Sequence, residues 1–220
     1  GLGSLVPAIL FGVAIGNILR GIPIDKSGVF TGSFPDLLNP YALLLGVLSL
    51  AMFTMHGAAY MTLKTEGVLR ESMQNWVSKA WIAFFVLYFL ATLATFFVSP
   101  FLFEDSLSNP LFWILFLLLL AATLYIPIAA KAGECFRTFL ASSVTIACMI
   151  GLIGVSLFPR LVPSTTNLAF SLTVYNASST SKTLTVMLII VLVGMPLVIG
   201  YTMYIYRVFK GKVVISEESY

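Results

Sequence analysis

Five long stretches of this chain contain no Asp, Glu, Lys or Arg: 41–63, 81–103, 111–130, 138–159 and 183–206. They are 23, 23, 20, 22 and 24 residues long. A helix needs about 20 apolar residues to cross the hydrocarbon core of a bilayer. A sixth charge-free run, 5–19, is shorter at 15 residues. The pattern predicts an all-α polytopic membrane protein, with six transmembrane helices near these positions forming a single integral membrane domain over 1–220. Composition agrees. The chain is 59% hydrophobic and only 10% charged, against roughly 25% charged in soluble domains. A water-soluble fold of this composition would leave large apolar patches exposed.

The net charge of +3 is small and no basic stripe is present, so nucleic acid is not a partner. The two cysteines, Cys135 and Cys148, fit no metal-ligand spacing. They read as small helix residues that tolerate apolar surroundings. The chain starts at Gly1 rather than Met and enters an apolar run almost at once, without a charged signal-peptide region. A fragment lacking its true N-terminus is expected.

Loop charge orients the spans. Lys64, Arg70, Lys79, Lys131, Arg137, Arg207, Lys210 and Lys212 fall on one side, and Arg20, Lys26, Arg160 and Lys182 on the other. Cytoplasmic loops carry the excess of Lys and Arg. Both ends of this chain are therefore expected in the cytoplasm. Trp and Tyr residues such as Tyr41, Trp81, Trp113 and Tyr201 lie near predicted span ends, where amphipathic rings favour the interface. Pro40 and Pro110 precede spans at positions where a missing N–H costs nothing. Pro127 and Pro196 are expected to kink theirs. Residues 64–79 read as a cytoplasmic loop with a short surface helix, and 160–182 as the largest external loop.

Few polar groups lie inside the spans. His56 is the one histidine. An ionisable side chain in a membrane helix is a functional candidate. It reads first as a packing residue hydrogen-bonded to a neighbouring helix. A proton relay or a quinone-side contact is the second reading, and a haem or metal ligand the third. Gly12-x-x-x-Gly16 is a small-xxx-small pattern that lets another helix approach closely, and the adjacent Asn17 is expected to satisfy backbone. Asn176-Ala-Ser matches a glycosylation acceptor. Thr180, Ser181 and Thr183 read as capping chemistry for the last helix, and capping is the favoured reading of that segment. No intramembrane carboxylate is present, which argues against a proton-coupled transporter. Composition alone still allows a secondary transporter or a membrane scaffold.

Several stretches together resemble one family. Leu37-Leu-Asn-Pro-Tyr-Ala-Leu-Leu-Leu-Gly46 leads into a helix ending in His56-Gly-Ala-Ala-Tyr-Met-Thr-Leu-Lys-Thr-Glu-Gly67. Leu172-Thr-Val-Tyr-Asn-Ala-Ser-Ser-Thr-Ser-Lys-Thr-Leu184 introduces the last span, which leaves through Tyr201 to Gly211-Lys-Val213. Gly12-Val-Ala-Ile-Gly-Asn-Ile-Leu-Arg-Gly-Ile-Pro23 fits as well. Over essentially its whole length the chain is similar to subunit II of the cytochrome bd-type quinol oxidases. The resemblance implies a bacterial plasma (inner) membrane complex that oxidises quinol, reduces dioxygen to water and builds proton-motive force without pumping. It implies two b-type haems and one d-type haem, all ligated by subunit I, and no cofactor ligated by this chain. The implied partners are that haem-bearing subunit, lipid, quinone and a small accessory membrane subunit. Members carry about eight helices, each of about 20 residues within the bilayer, so the first two are expected to be missing here. No catalytic residue of the family transfers to this chain. His56, Lys64, Glu66, Asn39 and Asn176 lie in the matching motifs and are the candidates for a structural or intersubunit polar site.

Overall fold

The computed structural model describes residues 1–104 and 106–209. Lys210, Lys212 and the Gly211–Val213 part of the last motif lie outside the described residues. Among the described residues, six helices are long and apolar enough to cross a membrane. They are α1 (Leu2–Arg20), α2 (Pro40–Lys64), α3 (Gly67–Val98), α5 (Pro110–Lys131), α6 (Cys135–Leu157) and α7 (Ser181–Val208), and a short α4 (Phe101–Glu104) stands between α3 and α5.

Local chemistry sets the helix starts. Asn39 and Asn109 cap α2 and α5, their side chains accepting from the amides of Ala42 and Leu111, and each is followed by Pro at the first helical position. Thr180 caps α7 by accepting from the Thr183 amide at 3.4 Å. Pro127 and Pro196 both lie within continuous helices.

Two expectations are corrected in the α3 region. Residues 64–79 do not form a loop with a separate surface helix. After only Thr65 and Glu66 the chain enters α3, which runs unbroken for 32 residues, about 48 Å at 1.5 Å per residue. Gly67, at φ 56, makes the tight reversal. The polar stretch beyond it contains no further Gly or Pro and includes Arg70, Glu71, Gln74 and Lys79, all good helix formers, so the helix persists beyond the roughly 30 Å hydrocarbon core. At the other end α3 stops at Val98 rather than continuing to residue 103. Ser99 precedes Pro100, and the residue before a proline is pushed out of the helical region. Leu102 in α4 then folds back into the core, 3% exposed.

α2 is the centre of the array. It packs against α1, α3 and α6, while α5 packs against α6 and α3. The α1–α2 contact is made by glycine. Gly12 and Gly16 on α1 lie against the backbone of Leu45, Gly46 and Ala42 on α2. Such close approach is how membrane helices gain packing energy, since lipid tails are as apolar as the side chains. The α5–α6 contact includes the buried pair Thr123 and Thr145, with hydroxyls 3.4 Å apart. Trp81 ties α3 to α5 by donating to the Thr123 carbonyl at 2.8 Å, so it serves as more than an interfacial ring. α7 differs from the rest, because none of its residues is buried.

At the end of the bundle where α1 stops and α2 starts, two connecting segments are knitted together. Ile22 bridges Ser164, and the buried Ser164 hydroxyl donates to the Ile24 carbonyl at 2.9 Å. A two-strand ribbon, β1 (Arg160–Val162) with β2 (Leu172–Thr173), completes this cap.

Candidate functional site

The five sequence-derived candidates lie at three heights. Asn39 begins α2 and Lys64 ends it, 25 residues or about 37 Å later. His56 sits between them, about 12 Å from Lys64 along the axis. Glu66 is beside Lys64, at the start of α3. Asn176 lies in the cap, at the end of the bundle that Asn39 occupies. The structure therefore brings Lys64 near Glu66, and leaves His56 apart from both groups.

His56 is half-buried. Its Nδ1 lies 2.8 Å from Ser142 Oγ on α6, and its ring stacks on Phe139 at a centroid distance of 5.0 Å. The Ser142 hydroxyl donates its one proton to the Phe139 carbonyl at 2.8 Å. Nδ1 is therefore the donor to Ser142, and Nε2 carries the free lone pair. This is the cross-helix hydrogen bond of the first reading. His56→Ala is expected to destabilise the chain by about 1 kcal/mol, the net value of one such bond. Ser142→Ala in the same background should then cost little more, which a double-mutant cycle of thermal unfolding would show.

Asn39 belongs to a network that the sequence did not reveal. Its Nδ2 donates to Asn17 Oδ1 at 3.0 Å and to the Asp36 carbonyl at 3.0 Å. The buried Asn17 in turn donates to the Leu37 carbonyl at 2.7 Å and to the Val13 carbonyl at 2.9 Å. The turn before α2 is closed by Asp36, whose Oδ2 accepts from the Ser33 hydroxyl at 2.7 Å and the Ser33 amide at 2.9 Å. Those bonds, the hydroxyl's foremost, hold the Asp36 carboxyl below the ordinary carboxylate range. A depressed folded pKa contributes stability above the unfolded value and loses it as pH falls. The turn is thus fully braced at neutral pH and loosens only in acid. Asn176 braces the cap in a similar way, accepting from the Thr173 amide at 2.7 Å and donating to the Ser171 carbonyl at 3.0 Å.

Two cavities matter. An apolar one of about 270 Å³ lies among α2, α3, α5 and α6, walled by residues such as Leu48, Tyr88, Phe112 and Met149. A polar one of about 400 Å³ lies at the α1–α2 end, beside Asn17 and Asn39. His56 lines neither. Among the described residues no three His, Cys, Asp or Glu side chains converge. A haem needs an axial donor facing a space wide enough for the macrocycle. His56 keeps Nε2 unspent but lines neither cavity. The apolar cavity carries the Tyr88 phenol and the Met149 thioether as its groups of axial-ligand type, with no imidazole or thiolate among the described residues that line it.

Six apolar helices, tied together by a few interhelical and loop hydrogen bonds, define a multi-pass membrane protein. The family model of the cytochrome bd terminal oxidase subunit II matches residues 1–209, and the chain belongs to that family. Similar proteins bear this out. The probable cytochrome oxidase subunit 2 of Haemophilus influenzae is 30% identical, covering 96% of this chain and 63% of its own length. The cytochrome bd-I ubiquinol oxidase subunit 2 of Escherichia coli is 29% identical, covering 96% and 64%. The cytochrome bd ubiquinol oxidase subunit 2 of Bacillus subtilis is 32% identical, covering 98% and 63%. The chain thus spans a little under two thirds of the length of these relatives. The transporter reading finds no support in them.

Proposed function

We propose that this chain is the non-haem subunit of a quinol:dioxygen oxidoreductase in a bacterial plasma membrane. It packs against a haem-bearing subunit I, which holds two b-type haems and one d-type haem. Two quinols give up four electrons and become two quinones, releasing their four protons outside. Dioxygen takes those four electrons and four protons drawn from the cytoplasm to form two waters, and this separation builds the proton-motive force. Within the complex this chain supplies shape and low dielectric rather than redox groups. The charge asymmetry of the loops supports cytoplasmic placement of the α2–α3 turn and of both chain ends. Lys64 and Glu66 on that side, and His56 through its free Nε2, serve as polar contacts that stabilise the assembly.

The observation that carries the reading, beside the family match, is α7. It is a 28-residue apolar helix with no buried residue. An apolar helix gains nothing by standing alone in lipid, and its stabilisation comes from close packing against another helix. A photo-crosslinking residue at Leu188 or Leu192, exposed by 58% and 64%, is expected to capture a second, haem-bearing polypeptide in native membranes. Crosslinks confined to this chain itself would contradict the assignment of that face to the partner.

A further inference from the structure

The polar cavity of about 400 Å³ at the α1–α2 end has a composition that the bracing role of its walls does not explain. Arg20, in the last turn of α1, lines it from one side and is half-buried. Among the described residues Arg20 donates no hydrogen bond, although its charge is felt at Asp36. Asp36 lines the cavity too, with Oδ2 held by Ser33 and Oδ1 left without a hydrogen bond. One cation and one anion thus face a common space, each with bonding capacity to spare. The walls are rigid, since Asn17 and Asn39 lock the 3₁₀ turn Phe34–Leu38 onto α1, and Thr165 closes the far side, its amide bonded to the Ile22 carbonyl.

Phe34 and Leu38, which flank the Pro35–Leu37 wall in the same turn, are 73% and 43% exposed. A polar chamber with two opposite charges, walled by a turn with exposed apolar side chains and set where a membrane helix ends, is complementary to an amphiphile rather than to a free ion. Arg binds phosphate oxygens by charge-assisted, often bidentate, hydrogen bonds. A carboxylate opposite it suits an ammonium group.

We propose that this cavity binds the headgroup of a zwitterionic phospholipid of the phosphoethanolamine class, its phosphate on Arg20, its ammonium on Asp36, and its acyl chains passing Phe34 and Leu38 onto α1. The site rests on the membrane placement of the chain and is independent of the oxidase assignment.

The test uses the complex purified from native membranes and a photoactivatable phosphatidylethanolamine, with labelled peptides mapped by mass spectrometry. Labelling within residues 20–39 is expected in the wild type. Arg20→Gln should weaken it about tenfold, the scale of one lost charge-assisted contact, while Arg20→Lys, which keeps the charge, should retain most of it. Asp36→Asn should abolish the preference for the phosphatidylethanolamine probe over a phosphatidylglycerol probe. Inorganic phosphate at millimolar concentration should not compete. Unchanged labelling in Arg20→Gln, or equal loss in the Lys and Gln variants, would overturn the assignment. Displacement of the probe by inorganic phosphate would show a free-anion site and overturn the lipid.

Discussion

Gly12→Leu is expected to unseat α1 from α2. A Cβ at Gly12 would meet the Leu45 carbonyl oxygen, Ser49 Cβ at 2.6 Å and Gly46 Cα at 2.8 Å. Two of these three atoms belong to backbone, which cannot swing aside as a long side chain can. Gly16 is equally close to its neighbour, its added Cβ falling 2.7 Å from Ala42 Cα. Gly46 completes the contact from the α2 side, with Val13 Cγ2 at 2.9 Å. Overpacking a well-filled contact costs about 1–3 kcal/mol, and Leu brings three carbons beyond the Cβ that already clashes. The helices must separate, and the dispersion along their seam is lost with the separation. Thermal unfolding of the purified complex should show a clear fall in Tm. Gly57→Ala supplies the contrast, because nothing lies within 4 Å of the added Cβ. It should be neutral or stabilising by up to about 1 kcal/mol, the usual helix preference for Ala over Gly. Equal Tm values for Gly12→Leu and Gly57→Ala would refute the close seam.

Asn17→Ala carries the second large effect. Asn17 is 7% exposed and makes three hydrogen bonds, to Val13, Leu37 and Asn39. The Val13 carbonyl keeps its place in the helix ladder. The Leu37 carbonyl and the Asn39 amide are left searching for partners near the lipid boundary. Stranding a buried polar group costs about 1–3 kcal/mol, so a loss of roughly 2–4 kcal/mol is expected for the pair. The turn over 33–39 should loosen first, which limited proteolysis between residues 21 and 39 would detect. Asn39→Ala alone also removes the α2 cap. The double variant should therefore cost less than the two single losses added together, as coupled neighbours do. Strict additivity would show that the two side chains act separately.

How far this was legible in the sequence differs from element to element. The apolar runs located the membrane helices because lipid imposes a length and excludes charge, a constraint that survives without tertiary information. The Asn39-Pro40 and Thr180 starts were local and hence readable in part. Gly12 and Gly16 announced a close neighbour, though nothing in their spacing said that α2 was the neighbour. The length of α3 was missed because hydropathy reports where lipid ends, while helix propensity decides where the helix ends, and Arg70 through Lys79 favour helix outside the membrane. The Asn17–Asn39 pair and the His56–Ser142 pair could not be read, since 22 and 86 residues separate the partners. Asn17 did carry a signal, being a polar residue on the glycine-marked face of a membrane helix. The apolar cavity arises from four helices at once and leaves no mark in any one of them.

The proposed membership of this chain in a haem-bearing complex is tested most directly by one preparation. The full-length protein is drawn from native membranes in mild detergent by an affinity tag, and a reduced-minus-oxidised visible spectrum is recorded. The account predicts b- and d-type haem bands together with a second membrane polypeptide, and loss of both when α7 cannot pack. A folded, haem-free protein that emerges alone would contradict it.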